Sequence, residues 1–108
     1  MITTHVLDTA AGKPAVGMSV VLAMHQGSEW LRVASGLTDA HGRVTTLTEG
    51  VEVGPGVYRL TFDTGTYHRD VDSFFPEVQV IFKVRVAGAH THVPLLVSPF
   101  GYSTYRGT

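Results

Sequence analysis

Hydrophobic residues recur at every second position along most of this chain, a pattern typical of half-buried β-strands. The longest example is the segment 78–86, VQVIFKVRV, in which every second residue is Val or Phe. Turn segments rich in Gly and Pro separate the alternating runs, so the pattern favours an all-β sandwich or barrel. It predicts about eight strands, at residues 3–9, 18–25, 29–36, 43–47, 56–63, 77–87, 90–98 and 102–106.

One segment departs from this alternation. Residues 68–74, HRDVDSF, carry acidic side chains without a period of two, and we expect one or two helical turns there. Pro76 biases Phe75 away from the α region, so such a helix would end before Phe75.

Length and charge narrow the possibilities further. A chain of 108 residues predicts a single domain spanning 1–108. The charged fraction of 16% is low, which suggests that partner subunits cover part of the surface. The net charge of −1 comes without a basic patch, so nucleic acid is not an expected partner. The chain has no Cys, which excludes a disulfide framework and a thiol nucleophile.

No targeting or membrane segment is expected. The first residues, MITTHVLDT, lack the basic and apolar regions of a signal peptide. No apolar run approaches the ~20 residues of a membrane helix. We therefore expect a cytoplasmic protein that does not enter a membrane.

Histidines are the candidate proton-transfer groups, because their side chains titrate near neutral pH. Alternation in the first strand puts His5 and Val6 on opposite faces of that strand, so His5 faces outward if Val6 faces the core. His90 and His92 share one face of a later strand. That spacing suits metal ligands and equally suits two solvated histidines. Because no convincing carboxylate lies nearby in sequence, we favour the second interpretation and predict no metal site.

The C-terminal run SPFGYSTYRGT is unusual for a chain end, because terminal residues commonly fray. Its tyrosines alternate with small hydroxyl residues, as in an ordered strand. We expect Tyr102 to Thr108 to form part of a buried functional site.

Three segments resemble the transthyretin-like family and, within it, the 5-hydroxyisourate hydrolase branch. They are THVLDTAAGKPA at 4–15, DAHGR at 39–43 and HVPLLVSPFGYSTYRGT at 92–108. The resemblance extends over the whole chain and includes FFPEVQVIF at 74–82. A closing motif of the Tyr-Arg-Gly-Ser type separates the enzymes from the hormone-carrying transthyretins.

This resemblance implies an eight-stranded, two-sheet sandwich with one short helix. It also implies a homotetramer, built as a dimer of dimers, whose active sites lie in the channel where the dimers meet. The implied reaction hydrolyses 5-hydroxyisourate to 2-oxo-4-hydroxy-4-carboxy-5-ureidoimidazoline in urate degradation, without a metal or an organic cofactor.

The family motifs fall on specific residues of this sequence. The implied catalytic residues are His5, Arg43, His92 and Thr108, and the implied substrate-binding residues are His5, Arg43, Tyr105, Arg106 and Gly107. The resemblance leaves open which histidine is the base, and whether Arg43 or Arg106 stabilises the developing charge. The other histidines, His25, His41, His68 and His90, are expected to be structural or solvated.

Two departures from the family pattern stand out. Thr108 replaces the usual Ser, but either residue offers a hydroxyl and a chain-end carboxylate, so we expect function to survive. The segment between Tyr67 and Phe74 is short, which puts the helix in doubt.

Two other functions fit the fold. A transthyretin-like carrier of a small hydrophobic ligand would line its channel with aliphatic residues, whereas the motifs supply His, Arg and Tyr. An adhesion module would leave these polar residues without a role.

Overall fold

Nine β-strands in two sheets, with one short helix, make up the computed structural model, which describes residues 1–108. The strands are β1 (Ile2–Asp8), β2 (Lys13–Pro14), β3 (Ser19–Gln26), β4 (Glu29–Leu37), β5 (Arg43–Val44), β6 (Gly56–Phe62), β7 (Val78–Val84), β8 (Thr91–Ser98) and β9 (Gly101–Thr104), and the helix is α1 (Thr64–Tyr67).

The first sheet has the order β2-β1-β8-β9, with β5 also paired to β1. Strands β1 and β8 run parallel, and the other pairs in this sheet are antiparallel. Strand β1 therefore has β8 along one edge, and β2 and β5 follow one another along the other edge. This arrangement places residues from two distant parts of the chain, β5 and β8, beside β1.

The second sheet has the order β4-β3-β6-β7 and is entirely antiparallel. The side chains between the sheets form one apolar core, to which both sheets contribute alternate residues. Its largest fully buried members include Tyr58, Phe62, Ile2, Met18, Leu22 and Leu95. This burial of alternate residues is the origin of the period-two pattern in the sequence.

All eight predicted strands are present, and the predicted all-β sandwich is confirmed. The short strand β2 was missed, because its two residues lie inside a segment that has the composition of a turn. The strand predicted at 43–47 ends at Val44, since hydrogen-bonded turns follow from Thr46 to Val51. The strand predicted at 102–106 spans Gly101–Thr104.

The single helix lies before the segment predicted to hold it. Helix α1 covers Thr64–Tyr67, and the prediction of helical turns at 68–74 is wrong. The Asp63 carboxylate caps α1 by accepting the N–H of Thr66 at 3.1 Å, and Asp is a favoured N-cap residue. Residues 68–70 instead form a turn, and residues 71–74 are bends or irregular. None of the helical structure is long and apolar enough to cross a membrane.

A polar cluster connects α1 to the end of β1. The Tyr67 hydroxyl donates to Asp8 Oδ2 at 2.7 Å, and the Ala11 N–H donates to Asp8 Oδ1 at 2.9 Å. Burial alone would raise the pKa of Asp8, but these hydrogen bonds and nearby His68 lower it overall. Burial, together with the Asp8 carboxylate, raises the pKa of Tyr67 to about 12. The cluster fixes the C-terminal end of β1, and the candidate site lies toward the other end.

Candidate active site

The outer face of β1 supplies the first part of the site. Burial alternates along this strand, with Ile2, Thr4, Val6 and Asp8 inside. Thr3, His5 and Leu7 therefore point away from the core and remain half-buried on the outer face. The outward orientation that alternation predicts for His5 is what the structure shows, because Val6 is fully buried.

Neighbouring strands bring two more predicted site residues to the same face. His92 of β8 is directly opposite Thr3, and Arg43 of β5 is directly opposite His5. Residues opposite one another in adjacent strands have Cβ atoms roughly 5 Å apart. His5 therefore lies between the arginine on one side and β8 on the other, diagonal to His92.

A tight turn places Arg43 beside β1. Oδ1 of Asp39 accepts the N–H of His41 at 2.8 Å and that of Arg43 at 3.0 Å. These hydrogen bonds lower the pKa of Asp39. Gly42 has φ +75° and lies so close to the Val6 carbonyl that a Cβ would overlap it. The DAHGR motif thus combines a carboxylate and a glycine that together bring an exposed arginine next to His5.

The C-terminal tail packs against His92. The Gly107 N–H donates to the His92 carbonyl at 2.9 Å, and a Cβ at position 107 would overlap the His92 imidazole. Only glycine allows the backbone to lie this close to the ring. Within the tail, Gly107 makes these contacts, while Tyr105, Arg106 and Thr108 are exposed.

The expectation that Tyr102 to Thr108 is buried is therefore wrong for the isolated chain. Tyr102 is 43% exposed and Tyr105 is 58% exposed. The ladder pairs with β8 end at Leu95–Thr104, and beyond them the hydrogen bond from Gly107 to His92 holds the tail against β8. The tail is ordered by its contacts with β8 but is open to solvent on its other side.

Burial and nearby charges favour the neutral form of His92. Burial lowers the pKa of His92, and the nearby charges of Arg43, His90 and His5 lower it further. A hydrogen-bonding contribution from the Thr3 backbone partly opposes this effect. Because a histidine ordinarily titrates near 6.5, a lowered pKa leaves the His92 ring unprotonated and able to accept a proton at neutral pH.

Two residues outside the predicted set also join the site. The Thr3 hydroxyl lies 2.8 Å from His92 Nδ1 and 2.8 Å from His90 Nε2. His90 was expected to be solvated or structural, and Thr3 was not singled out. The sequence shows the His-x-His pattern of His90 and His92. It does not show the parallel register of β1 and β8 that places Thr3 beside these two histidines.

The assembled groups suit hydrolysis of an electrophilic carbonyl. They offer a neutral imidazole as base, a second imidazole, and a guanidinium able to stabilise a developing oxyanion. No three His, Cys, Asp or Glu side chains converge in a way that could hold a metal ion. The arrangement is open to solvent, so a planar polar molecule can reach His5, Arg43 and His92 from one side.

Comparisons with known proteins identify the family of this chain. A sequence model described as the HIUase/Transthyretin family matches residues 2–107. The 5-hydroxyisourate hydrolase of Salmonella typhimurium is 43% identical over 110 residues, covering 100% of this chain and 81% of that protein.

Two solved structures have the same fold. The 5-hydroxyisourate hydrolase of Klebsiella pneumoniae matches with a TM-score of 0.86 at 35% identity, covering 99% of this chain and 98% of the other. Transthyretin from Sparus aurata matches with a TM-score of 0.91 at 32% identity, covering 98% and 95%. The fold alone therefore does not separate hydrolase from transthyretin. The match over nearly the whole length shows that this chain belongs to the HIUase/transthyretin family.

Proposed function

We propose that this chain is a 5-hydroxyisourate hydrolase of urate degradation. The observation that carries the proposal is the convergence of His5, Arg43 and His92 on the outer face of the first sheet, with Gly107 packed on the His92 ring. The names of the relatives from Salmonella and Klebsiella support the same substrate.

The chemistry follows from these groups. His92 accepts a proton from a water molecule, whose oxygen attacks a carbonyl carbon of the substrate ring. Arg43 stabilises the negative charge that develops on the carbonyl oxygen, because its guanidinium is always charged and its N–H groups form a planar fork. The C–N bond of the ring then breaks, and His92 passes the proton it took from water to the leaving nitrogen, which returns His92 to its neutral form. His5 orients the attacking water. The products carry the elements of one water molecule.

The exposed tail completes the site in this proposal. Tyr105 and Arg106 contact the substrate, and the hydroxyl of Thr108 hydrogen-bonds to the attacking water. The Gly107 N–H holds this tail against β8 by donating a hydrogen bond to the His92 carbonyl. The tail thereby adds polar groups to the face that bears the histidines.

We also propose that the active form is a homotetramer, a dimer of dimers with the sites in the channel between dimers. The outer strands β7 and β9 each leave one edge unpaired, and such edges are usually covered. Exposed apolar side chains lie on or beside these strands, including Ile81 at 59%, Phe100 at 65% and Tyr105 at 58%. Light scattering at assay concentration should therefore give the mass of a tetramer, and a monomer there would contradict this assembly.

One assay tests the hydrolase proposal directly. Uricase oxidises urate to 5-hydroxyisourate in the cuvette, and the ultraviolet absorbance of this intermediate is followed with and without the protein. We expect the protein to accelerate its loss well beyond the spontaneous decay. A protein that binds the intermediate without accelerating its loss would instead be a carrier, and the hydrolase proposal would fail.

A further inference from the structure

A threonine hydroxyl connects two histidines at the edge of the proposed site. Oγ1 of Thr3 lies 2.8 Å from both His92 Nδ1 and His90 Nε2. The register places Thr3 directly opposite His92, and the two histidine rings are centred 6.3 Å apart. The three side chains thus form a continuous hydrogen-bonded chain, His90–Thr3–His92, on the outer face of the first sheet.

The single proton of the hydroxyl limits what this chain can do. A threonine hydroxyl donates one hydrogen bond and can accept two. Thr3 can therefore donate to at most one of the two ring nitrogens, and a nitrogen that does not accept this proton must carry its own proton and donate to Thr3. The hydroxyl consequently couples the tautomers of the two rings.

The two arrangements in which Thr3 donates to a ring have opposite consequences for His92. When both rings donate to Thr3, His92 again carries its proton on Nδ1. If Thr3 donates to His90, then His92 carries its proton on Nδ1, and Nε2 has a free lone pair that can act as a base. If Thr3 donates to His92 instead, then Nε2 of His92 is protonated and cannot accept a proton from water. The direction of one hydroxyl proton thus decides whether a neutral His92 is a base.

We propose that Thr3 is a positioning residue, and that His90 accepts its proton and so holds His92 in the Nδ1–H tautomer. This inference rests on the proposed hydrolase function, because it assigns the state in which His92 works as the base. His90 is the partner that makes it possible: without an acceptor at His90 Nε2, the Thr3 proton is free to turn toward His92.

The surroundings of His92 make its tautomer important. The charged or titratable groups facing its ring are Arg43 from β5, His5 from β1 and His90 from β8. All three disfavour a second proton on His92. The ring therefore works in its neutral form, and a neutral imidazole has one basic nitrogen whose position the hydrogen-bond partner selects.

Two variants at position 3 separate the hydroxyl from the shape of the side chain. Thr3→Val keeps the branched side chain and removes the hydroxyl, whereas Thr3→Ser keeps the hydroxyl. The matched control is Thr61→Val, on the outer face of the second sheet and away from the site. His90→Phe removes the acceptor and keeps a ring at an exposed position.

The nitrogen-15 chemical shifts of the His92 ring measure the tautomer without reference to activity. We expect a protonated Nδ1 and an unprotonated Nε2 in the unmodified protein. In Thr3→Val and His90→Phe, we expect a large share of His92 to change to the Nε2–H tautomer. Thr3→Ser should recover the original spectrum, and Thr61→Val should not alter it.

Hydrolysis should follow the spectrum. We expect kcat to fall roughly 10-fold to 100-fold in Thr3→Val, as for hydrogen-bond partners of metal-bound histidines, with KM nearly unchanged. Thr3→Ser should recover most of that rate. If kcat fell because Thr3→Val disturbs the fold, the melting temperature measured by circular dichroism would fall as well.

The outcomes decide this inference separately from the hydrolase proposal. An Nε2–H tautomer of His92 in the unmodified protein would overturn it, as would an unchanged spectrum and kcat in Thr3→Val. If the expected tautomer changes occur in a protein that does not hydrolyse 5-hydroxyisourate, then the hydrogen-bonded chain is real and the proposed function is wrong.

Discussion

His92→Asn should lower kcat/KM for 5-hydroxyisourate by at least ~10², the lower limit for loss of a positioned acid or base. Asn is close to His in size but accepts no proton near neutral pH. His5→Asn should produce a loss of the same order, because the attacking water would no longer be held in position. Both side chains lie on the outer face rather than in the core, so the folded state should persist in each variant.

The pH profile connects this loss to His92 itself. The lowered pKa of His92 means that kcat/KM should rise with pH through a value below the usual 6.5 and then level off. Activity is lost as pH falls through that pKa, because protonated His92 cannot act as a base. This acidic limb should be absent from the residual activity of His92→Asn.

A matched substitution serves as the control. His25 is exposed in β3 of the second sheet, where its ring packs at a tilt against Trp30. His25→Asn should retain the full rate and the full acidic limb. Near-normal hydrolysis in His92→Asn or in His5→Asn would contradict the role proposed for that residue.

The features that follow from local alternation were predictable from sequence. A period of two gives the strands and the outward direction of His5, because successive side chains in a strand point to opposite faces. Grouping His5 with Arg43 and His92 required the family resemblance. These residues come from three distant strands, and alternation within one strand says nothing about which strand lies beside it.

Other features depended on tertiary structure and could not be read from the sequence. Thr3 meets His92 only through the parallel register of β1 and β8. Helix α1 begins after Asp63, whose carboxylate caps it, while the acidic composition of 68–74 suggested a later start. Tyr105 is exposed because it lies beyond the last pair of β9 with β8, and the composition of the tail does not reveal where that pairing ends.

Deletion of Tyr105 to Thr108 should abolish hydrolysis, leaving only the spontaneous decay of 5-hydroxyisourate. The deletion removes Gly107 from the face of the His92 ring and removes the polar groups proposed to contact the substrate. It should cost little stability, because the backbone pairing of β9 ends at Thr104 and the lost hydrogen bond contributes only about 1 kcal/mol. Circular dichroism should therefore still report a folded β protein, and light scattering shows whether assembly survives.

Gly107→Ala tests the same contact with the tail still present. The added Cβ would overlap the His92 imidazole, so either the ring or the tail must move. A misplacement of about 1 Å in a catalytic group can lower the rate roughly 10²-fold, and we expect a loss of that order in kcat with the melting temperature nearly unchanged. If Gly107→Ala loses its hydrolysis rate while the deletion variant retains its rate, then the tail contributes no catalytic group and must only avoid displacing the His92 ring. If both retain their rates, the tail has no part in hydrolysis.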